Sequence, residues 1–214
     1  MSTPNLEELL AGLPSALAAS ARAGVVRRYA KRTILISEGE PGTSLYIVLS
    51  GKLKIFTSDP DGKEFLFDVY GRGEIVGEMA IDGDLRSASV EAVEDTVCAS
   101  VPLDAFRSQV KSDPDFAFDL ILTLIRRSRH ATSHARSLAL ESAYERLAAL
   151  LQAAAVEENG ETVISEELSQ QDLADRIGTS RDMVSKIFKE LKKGGYLSYE
   201  KKRVVLHRPL PARW

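Results

Sequence analysis

Apolar and polar positions change rhythm three times along the chain. From Pro4 to Ala23, Leu6, Leu9, Leu10, Leu13 and Leu17 recur at helical spacing, and Gly12 with Pro14 cuts the pattern into short pieces. From Val25 onward short apolar runs predict strands at Thr33–Ile36, Ser44–Leu49, Lys52–Phe56, Phe65–Val69, Ala88–Ala92 and Thr96–Val101. Glycine turns separate them at Glu38–Gly42, Ser50–Gly51, Asp59–Gly62 and Gly71–Gly73. Many short strands at regular intervals predict an antiparallel roll or barrel. Pro114 to about Ala155 then lacks glycine and further proline. It reads as one helix of roughly 40 residues, about 60 Å long at 1.5 Å per residue. Ile121, Leu124, Ser128, Ala131, Ala135, Leu138 and Ser142 fall at alternating three- and four-residue steps, a coiled-coil seam that predicts a parallel homodimer. The middle of the seam is small or hydroxylated, which leaves room for a ligand. The polar stretch Glu157–Glu161 is a hinge candidate.

The third rhythm is the most specific. In residues 169–191, Ser169 with Asp172 and Thr179 with Asp182 have capping-box spacing, so two helix starts stand ten residues apart. Gly178 supplies the left-handed residue that ends the first helix. Leu173, Ala174 and Ile177 point inward from the first helix, and Val184, Ile187, Phe188 and Leu191 from the second. The second helix then shows solvent Ser180, Arg181, Asp182, Ser185, Lys186 and Lys189. That is a helix-turn-helix whose second member fits the major groove of double-stranded DNA. Arg181 suits a bidentate bond to guanine, and Asp182 can accept from a cytosine amine. Lys186 can reach a second guanine without the arginine fork. Ser169, Gln170 and Ser180 are placed for phosphate contacts, and Ser185 shares the reading face. Tyr196–Leu206 follows as a hairpin with a basic tip, the pattern of a wing. A dimer would set two such helices about 34 Å apart on a palindromic operator.

These rhythms define an α+β chain: an antiparallel β-roll over residues 1–111, a dimerisation helix over 112–155, and a winged helix-turn-helix over 156–214. Composition adjusts the picture in three places. Of 214 residues 44% are apolar and 28% charged, enough for a core and against wholesale disorder. The net charge is −3, yet Arg181–Arg208 carries nine basic residues against three acidic ones, a local footprint for phosphates. One cysteine, Cys98, excludes an internal disulfide and a cysteine-held cluster within one chain, and reads as a half-buried core residue. No run approaches the roughly 20 apolar residues of a membrane span. With no signal core at the N-terminus, a cytoplasmic location is expected. No nucleophile elbow, His-Glu metalloprotease motif or Walker loop is present, so an enzyme is not expected.

Residues 73–90 hold a second motif: Gly73-Glu-Ile-Val-Gly77-Glu78-Met79, then Arg86-Ser87-Ala88. It predicts a strand, a short helical turn starting near Gly77, and a loop returning to a strand. Free amides at the start of such a turn, a close-approaching glycine, the Arg86 guanidinium and the Ser87 hydroxyl all suit a phosphate. Glu78 suits a sugar hydroxyl. Elsewhere, His130 and His134 are spaced for one metal ion, though two histidines on a solvated helix read first as polar surface. No histidine in the roll argues against haem.

With both motifs in hand, the chain resembles the Crp/Fnr superfamily of bacterial transcription regulators over nearly its whole length. The cassette Gly77-Glu78-Met79 … Arg86-Ser87-Ala88 and the helix Ser180-Arg181-Asp182-Met-Val-Ser185-Lys186 carry the resemblance. It implies a homodimer, an effector-sensing roll, a winged DNA-binding module and RNA polymerase as a partner. It also implies cAMP or cGMP as effector, with Gly77, Glu78, Met79, Arg86 and Ser87 on the ribose and cyclic phosphate. The family's base-contacting pair falls on Ala131 and Thr132, and of these Thr132 keeps a hydroxyl. Eight positions separate Glu78 from Arg86, one or two fewer than the family's nucleotide-binding cassettes usually have. The alternatives are a relative that is unliganded or takes another nucleotide, a metal or haem, and a cyclic-nucleotide adaptor that does not bind DNA.

Overall fold

The computed structural model describes residues 5–62, 64–164, 166–200 and 203–211, and for Glu200 the backbone alone. The chain forms two compact units that divide between Arg127 and Ser128. The first opens with α1 (Leu6–Leu10), capped by the Asn5 side chain, and α2 (Ser15–Arg22), which starts after Pro14. Eight strands follow: β1 (Val25–Tyr29), β2 (Ile34–Ile36), β3 (Ser44–Ser50), β4 (Leu53–Ser58), β5 (Glu64–Tyr70), β6 (Ile75–Val76), β7 (Ser89–Ala92) and β8 (Thr96–Pro102). They pair as two four-stranded sheets, β1-β8-β3-β6 and β2-β7-β4-β5, every pairing antiparallel. This is the expected roll. β1 is an edge strand carrying exposed Arg27 and Arg28, so it has no apolar alternation to betray it.

β3 explains why its sequence is continuously apolar. Leu45, Ile47 and Leu49 enter one core with α2 and β8, while Val48 enters a second with Ile36, Leu53, Val76, Val90 and Cys98. A strand buried on both faces needs no polar side. Cys98 is fully buried rather than half-buried, and burial pushes its thiol up to about 12. Helix α3 (Leu103–Ser112) closes the first core, with Phe106 edge-on to Phe116 at 5.5 Å between ring centres.

The long helix is shorter than the spacing predicts. α4 (Pro114–Leu140) has 27 residues, and α5 (Ala143–Ala153) is a separate helix. Ser142, expected as a seam position, is instead the cap of α5: its hydroxyl accepts from Glu145 N–H at 3.2 Å, and the Glu145 carboxylate accepts from Ser142 N–H at 2.7 Å. A Ser-x-x-Glu box satisfies two orphan donors at once and starts a new helix without proline or glycine. Arg146 secures the break by donating to the Glu141 carbonyl at 2.6 Å and to that of Ile177 at 2.7 Å.

The polar stretch at residues 157–161, the hinge candidate, holds a hairpin turn. β9 (Ala155–Glu158) and β10 (Glu161–Ile164) flank Asn159 and Gly160, at φ 52° and 82°. Two left-handed residues in succession make the tight turn whose twist matches its strands. The second unit continues with α6 (Gln170–Ile177), α7 (Arg181–Lys193), β11 (Leu197–Glu200) and β12 (Arg203–Leu206). Its sheet runs β11-β12-β10-β9, so the wing is part of a four-stranded sheet. Tyr144, Leu147 and Leu151 of α5 join Leu173, Ile177, Val184, Phe188 and Leu191 in one core.

Candidate effector pocket and nucleic-acid interface

The cassette folds as its composition suggests. β6 leads to Gly77 at φ 85°, followed by a short 3-10 helix over Glu78–Asp82 that ends on Gly83 at φ 95°. The Asp82 carboxylate accepts from Asp84 N–H at 3.0 Å, and Leu85 bridges to Pro41. The shortened loop thus closes as a compact turn and still delivers Arg86 inward. Gly77, Glu78, Met79, Arg86 and Ser87 all line one cavity of about 80 Å³, partly open to solvent, whose other walls include Ile36, Ile55, Tyr70, Val76 and Val90.

Arg86 is 8% exposed. Its Nη1 donates to the Gly77 carbonyl at 2.8 Å and its Nη2 to the Ser44 carbonyl. Among the described residues no carboxylate stands within ion-pair distance of it. Burial therefore lowers its pKa, against the more distant pull of Tyr46, Glu40 and Glu78. Two carbonyls occupy two of the five donors of a guanidinium and leave the charge unneutralised, a setting that favours an approaching anion. The Ser87 hydroxyl, exposed, donates to the Met79 sulfur at 3.3 Å, a weak acceptor that a phosphate oxygen easily replaces.

Glu78 is already paired through one of its oxygens. Its Oε1 accepts from Arg127 Nη1 at 2.7 Å. Arg127 Nη2 donates to Glu74 at 2.8 Å and to the Ile75 carbonyl at 2.8 Å, and the guanidinium lies 4.2 Å over the Tyr70 ring. Burial pulls the Arg127 pKa down, but Glu78, Glu74 and Tyr70 outweigh it and leave it raised. Burial likewise pushes the Tyr70 phenol up to about 12. Sequence reasoning missed Arg127 and Tyr70. Arg127 sits among other cations of α4 with partners about fifty positions away, so no local spacing marks it. Among the described residues the hydrogen bond to Arg127 engages only one of the two Glu78 oxygens. Thr132 belongs to the second unit; it is exposed and its hydroxyl donates to the Ser128 carbonyl at 2.9 Å. His130 and His134 stand 6.2 Å apart between ring centres, and among the described residues no group of three metal-ligating side chains occurs.

In the second unit Ser169 caps α6 with a full capping box, reciprocated by Asp172. Gly178 takes φ 64°, ψ 50°, and passes the chain to Thr179, whose N–H donates to the Ala174 carbonyl. The second cap falls one residue later than its spacing predicts. Ser180, not Thr179, accepts from Met183 N–H at 3.2 Å. Extended dihedrals at Ser180 put its hydroxyl three residues from that amide, the geometry a cap requires. Ser180, Arg181, Asp182, Ser185 and Lys186 are exposed on one side of α7, while Val184, Phe188 and Leu191 are buried on the other and Ile187 is half-buried. Ser169 and Gln170 are half-buried at the start of α6. Neither Arg181 nor Lys186 has an ion-pair partner among the described residues. In the wing, Arg203 pairs with Glu158 at 3.1 Å and Arg208 stacks on Tyr196. The basic tip at Lys201 and Lys202 lies outside the described residues.

Comparison with known proteins matches a family model to each of the two segments. Residues 26–113 match the cyclic nucleotide-binding domain and residues 145–209 the Crp-like helix-turn-helix domain. A CRP-like cAMP-activated global transcriptional regulator of Mycobacterium tuberculosis is 31% identical over 198 residues, 90% of this chain and 88% of its own. The cAMP-activated global transcriptional regulator CRP of Escherichia coli O6:H1 is 25% identical over 187 residues, 85% of this chain and 89% of its own. Among solved structures, the c-di-GMP responsive global regulator CLP of Xanthomonas campestris superposes with a TM-score of 0.80 at 25% identity, over 90% of this chain and 98% of that one. A cyclic nucleotide-binding domain joined to a DNA-binding helix-turn-helix defines a CRP-like transcription regulator. The chain belongs to the Crp/Fnr superfamily. Among the described residues no helix is long and apolar enough to cross a membrane.

Proposed function

We propose that the chain works as a homodimeric, sequence-specific regulator whose effector is a cyclic nucleotide, cAMP or cGMP, held around Arg86. The observation that carries this reading is the buried Arg86 guanidinium, held among the described residues by carbonyls alone. A cyclic phosphate would supply the missing negative charge. Arg86 and Ser87 take the phosphate, Gly77 and Met79 border it, and Glu78 accepts from the ribose with its remaining oxygen. Thr132 keeps its assignment to the base through the family resemblance alone. The effector acts by its difference in affinity between two states of the dimer, and can shift them by no more than that difference. The output is DNA binding: Arg181 reads guanine, Asp182, Ser185 and Lys186 share the groove, and Ser169, Gln170 and Ser180 hold phosphates. RNA polymerase follows as a partner from the resemblance.

A cyclic dinucleotide is the second reading, because the Xanthomonas neighbour is c-di-GMP responsive. Calorimetry with cAMP, cGMP and c-di-GMP on the whole chain separates the two. The expected result is binding of a mononucleotide, weakened about tenfold to a hundredfold by Arg86→Ala, the worth of hydrogen bonds to a charged group. A wild type silent to cAMP and cGMP ends the mononucleotide reading. On the output side, Arg181→Ala should cost about 1–3 kcal/mol on the operator, measured by gel shift, and far less on bulk DNA. Equal loss on both would count against base reading.

A further inference from the structure

The turn Glu38–Gly42 reads from sequence as nothing more than a connection between strands, yet it runs alongside Arg86. Arg86 N–H donates to the Glu40 carbonyl at 2.9 Å, Gly39 N–H donates to the Arg86 carbonyl at 2.9 Å, and Pro41 bridges to Leu85. The Ser44 carbonyl, two residues past Gly42, accepts from the guanidinium itself. We propose that the loop Gly39–Ser44 is the seat of the anion-binding Arg86 side chain, packed behind it, with Gly42 as the positioning residue that lets the guanidinium lie flat there. This rests on the cyclic-nucleotide reading above.

The case for Gly42 is spatial. Its φ lies outside the left-handed region, so its backbone conformation suits any residue. A Cβ there would stand 2.5 Å from the Ala80 Cβ, 2.9 Å from Arg86 Cζ and 3.0 Å from Arg86 Nε. On the other side, a Cβ on Gly77 would stand 2.6 Å from Arg86 Nη1. Two glycines therefore bracket the guanidinium, and bare backbone on both sides lets carbonyls reach it. Carbonyl dipoles hold the group without cancelling its charge, whereas a carboxylate at the same place would compete with the ligand. An alanine at position 42 must push either Arg86 out of line or Ala80, and with it the turn that carries Glu78 and Met79.

The test is nucleotide calorimetry with cAMP and cGMP on the full chain. Gly42→Ala is expected to weaken binding at least about tenfold, the scale of a lost hydrogen bond to a charged group. Gly71→Ala, with ordinary φ and no atom within 4 Å of its added Cβ, is expected to bind as wild type. Arg86→Lys keeps a charge and measurable binding but lacks the planar group that Gly42 must clear. On that background Gly42→Ala should therefore add little, a non-additive cycle that a general loss of fold would not produce. Should Gly42→Ala fail to fold, Gly42→Ala/Ala80→Gly removes the contact with Ala80 and leaves the Arg86 side chain as the crowded neighbour. Weak binding by that folded pair supports the proposal. Equal affinity in wild type and the folded variant overturns the inference alone, as does a fully additive cycle. A wild type that binds neither nucleotide overturns the reading beneath it as well.

Discussion

Arg86 and Arg127 meet the same cassette in opposite electrostatic settings. Arg86 is bonded to carbonyls and has no ion-pair partner among the described residues; Arg127 is held by Glu74, Glu78 and the face of Tyr70. The first can serve an incoming anion and the charge of the second is already matched by carboxylates, so substitutions at the two should separate binding from stability. The Arg127 and Glu78 side chains are 17% and 12% exposed. Removing one partner leaves the other charge buried alone, so Arg127→Met should destabilise the chain by about 3 kcal/mol in urea unfolding. Adding Glu78→Gln should recover part of that loss, since no lone carboxylate remains. Equal stability of wild type and Arg127→Met would remove the pair as a structural element. Arg86 was legible in the sequence because its whole cassette fits in eighteen consecutive residues. Arg127, Gly42 and Ser44 were not, because each acts across dozens of positions that the roll brings together.

Elements were legible where a local signal governed them. The box at Ser169, the left-handed Gly178 and the six expected strands of the roll all rest on neighbours in sequence, and each is present. The long helix failed for the same kind of reason, misweighed. Periodicity runs smoothly through residue 142, but Ser142 and Glu145 form a box that starts α5 afresh. The stretch after Val156 reads as a hinge candidate because it is polar and contains a turn; its Asn-Gly pair is also a hairpin signal, and β9 pairs with β10 across it. Ser142→Ala removes a side-chain cap and should cost about 1 kcal/mol, seen as a lower urea midpoint at unchanged slope. The cost should stay near that figure because Arg146 still holds the Glu141 carbonyl. A loss several times larger would mean that the break depends on Ser142 alone.

For the whole molecule, α4 poses the largest unanswered burial. Phe118, Ile121, Leu122, Leu124 and Ile125 are each more than a third exposed. Apolar residues gathered on one helix to this extent mark an interaction surface, since soluble chains rarely leave such patches to water. Ile121 and Leu124 are also the first two positions of the expected seam, and the proposed parallel homodimer would bury both against their own copies. DNA binding adds a second constraint: two recognition helices must meet successive major grooves about 34 Å apart, which one chain alone does not provide. Ile121→Asp with Leu124→Asp sets like charges face to face across such a seam. The double variant should sediment as a monomer at micromolar concentration while its melting behaviour persists, because neither side chain is buried within the chain. Its affinity for a two-half-site operator should fall towards that for a single half-site, and the preference for palindromic over half-site DNA should vanish. A variant that stays dimeric would place the interface elsewhere, and a monomeric variant that still prefers the palindrome would detach recognition from dimerisation.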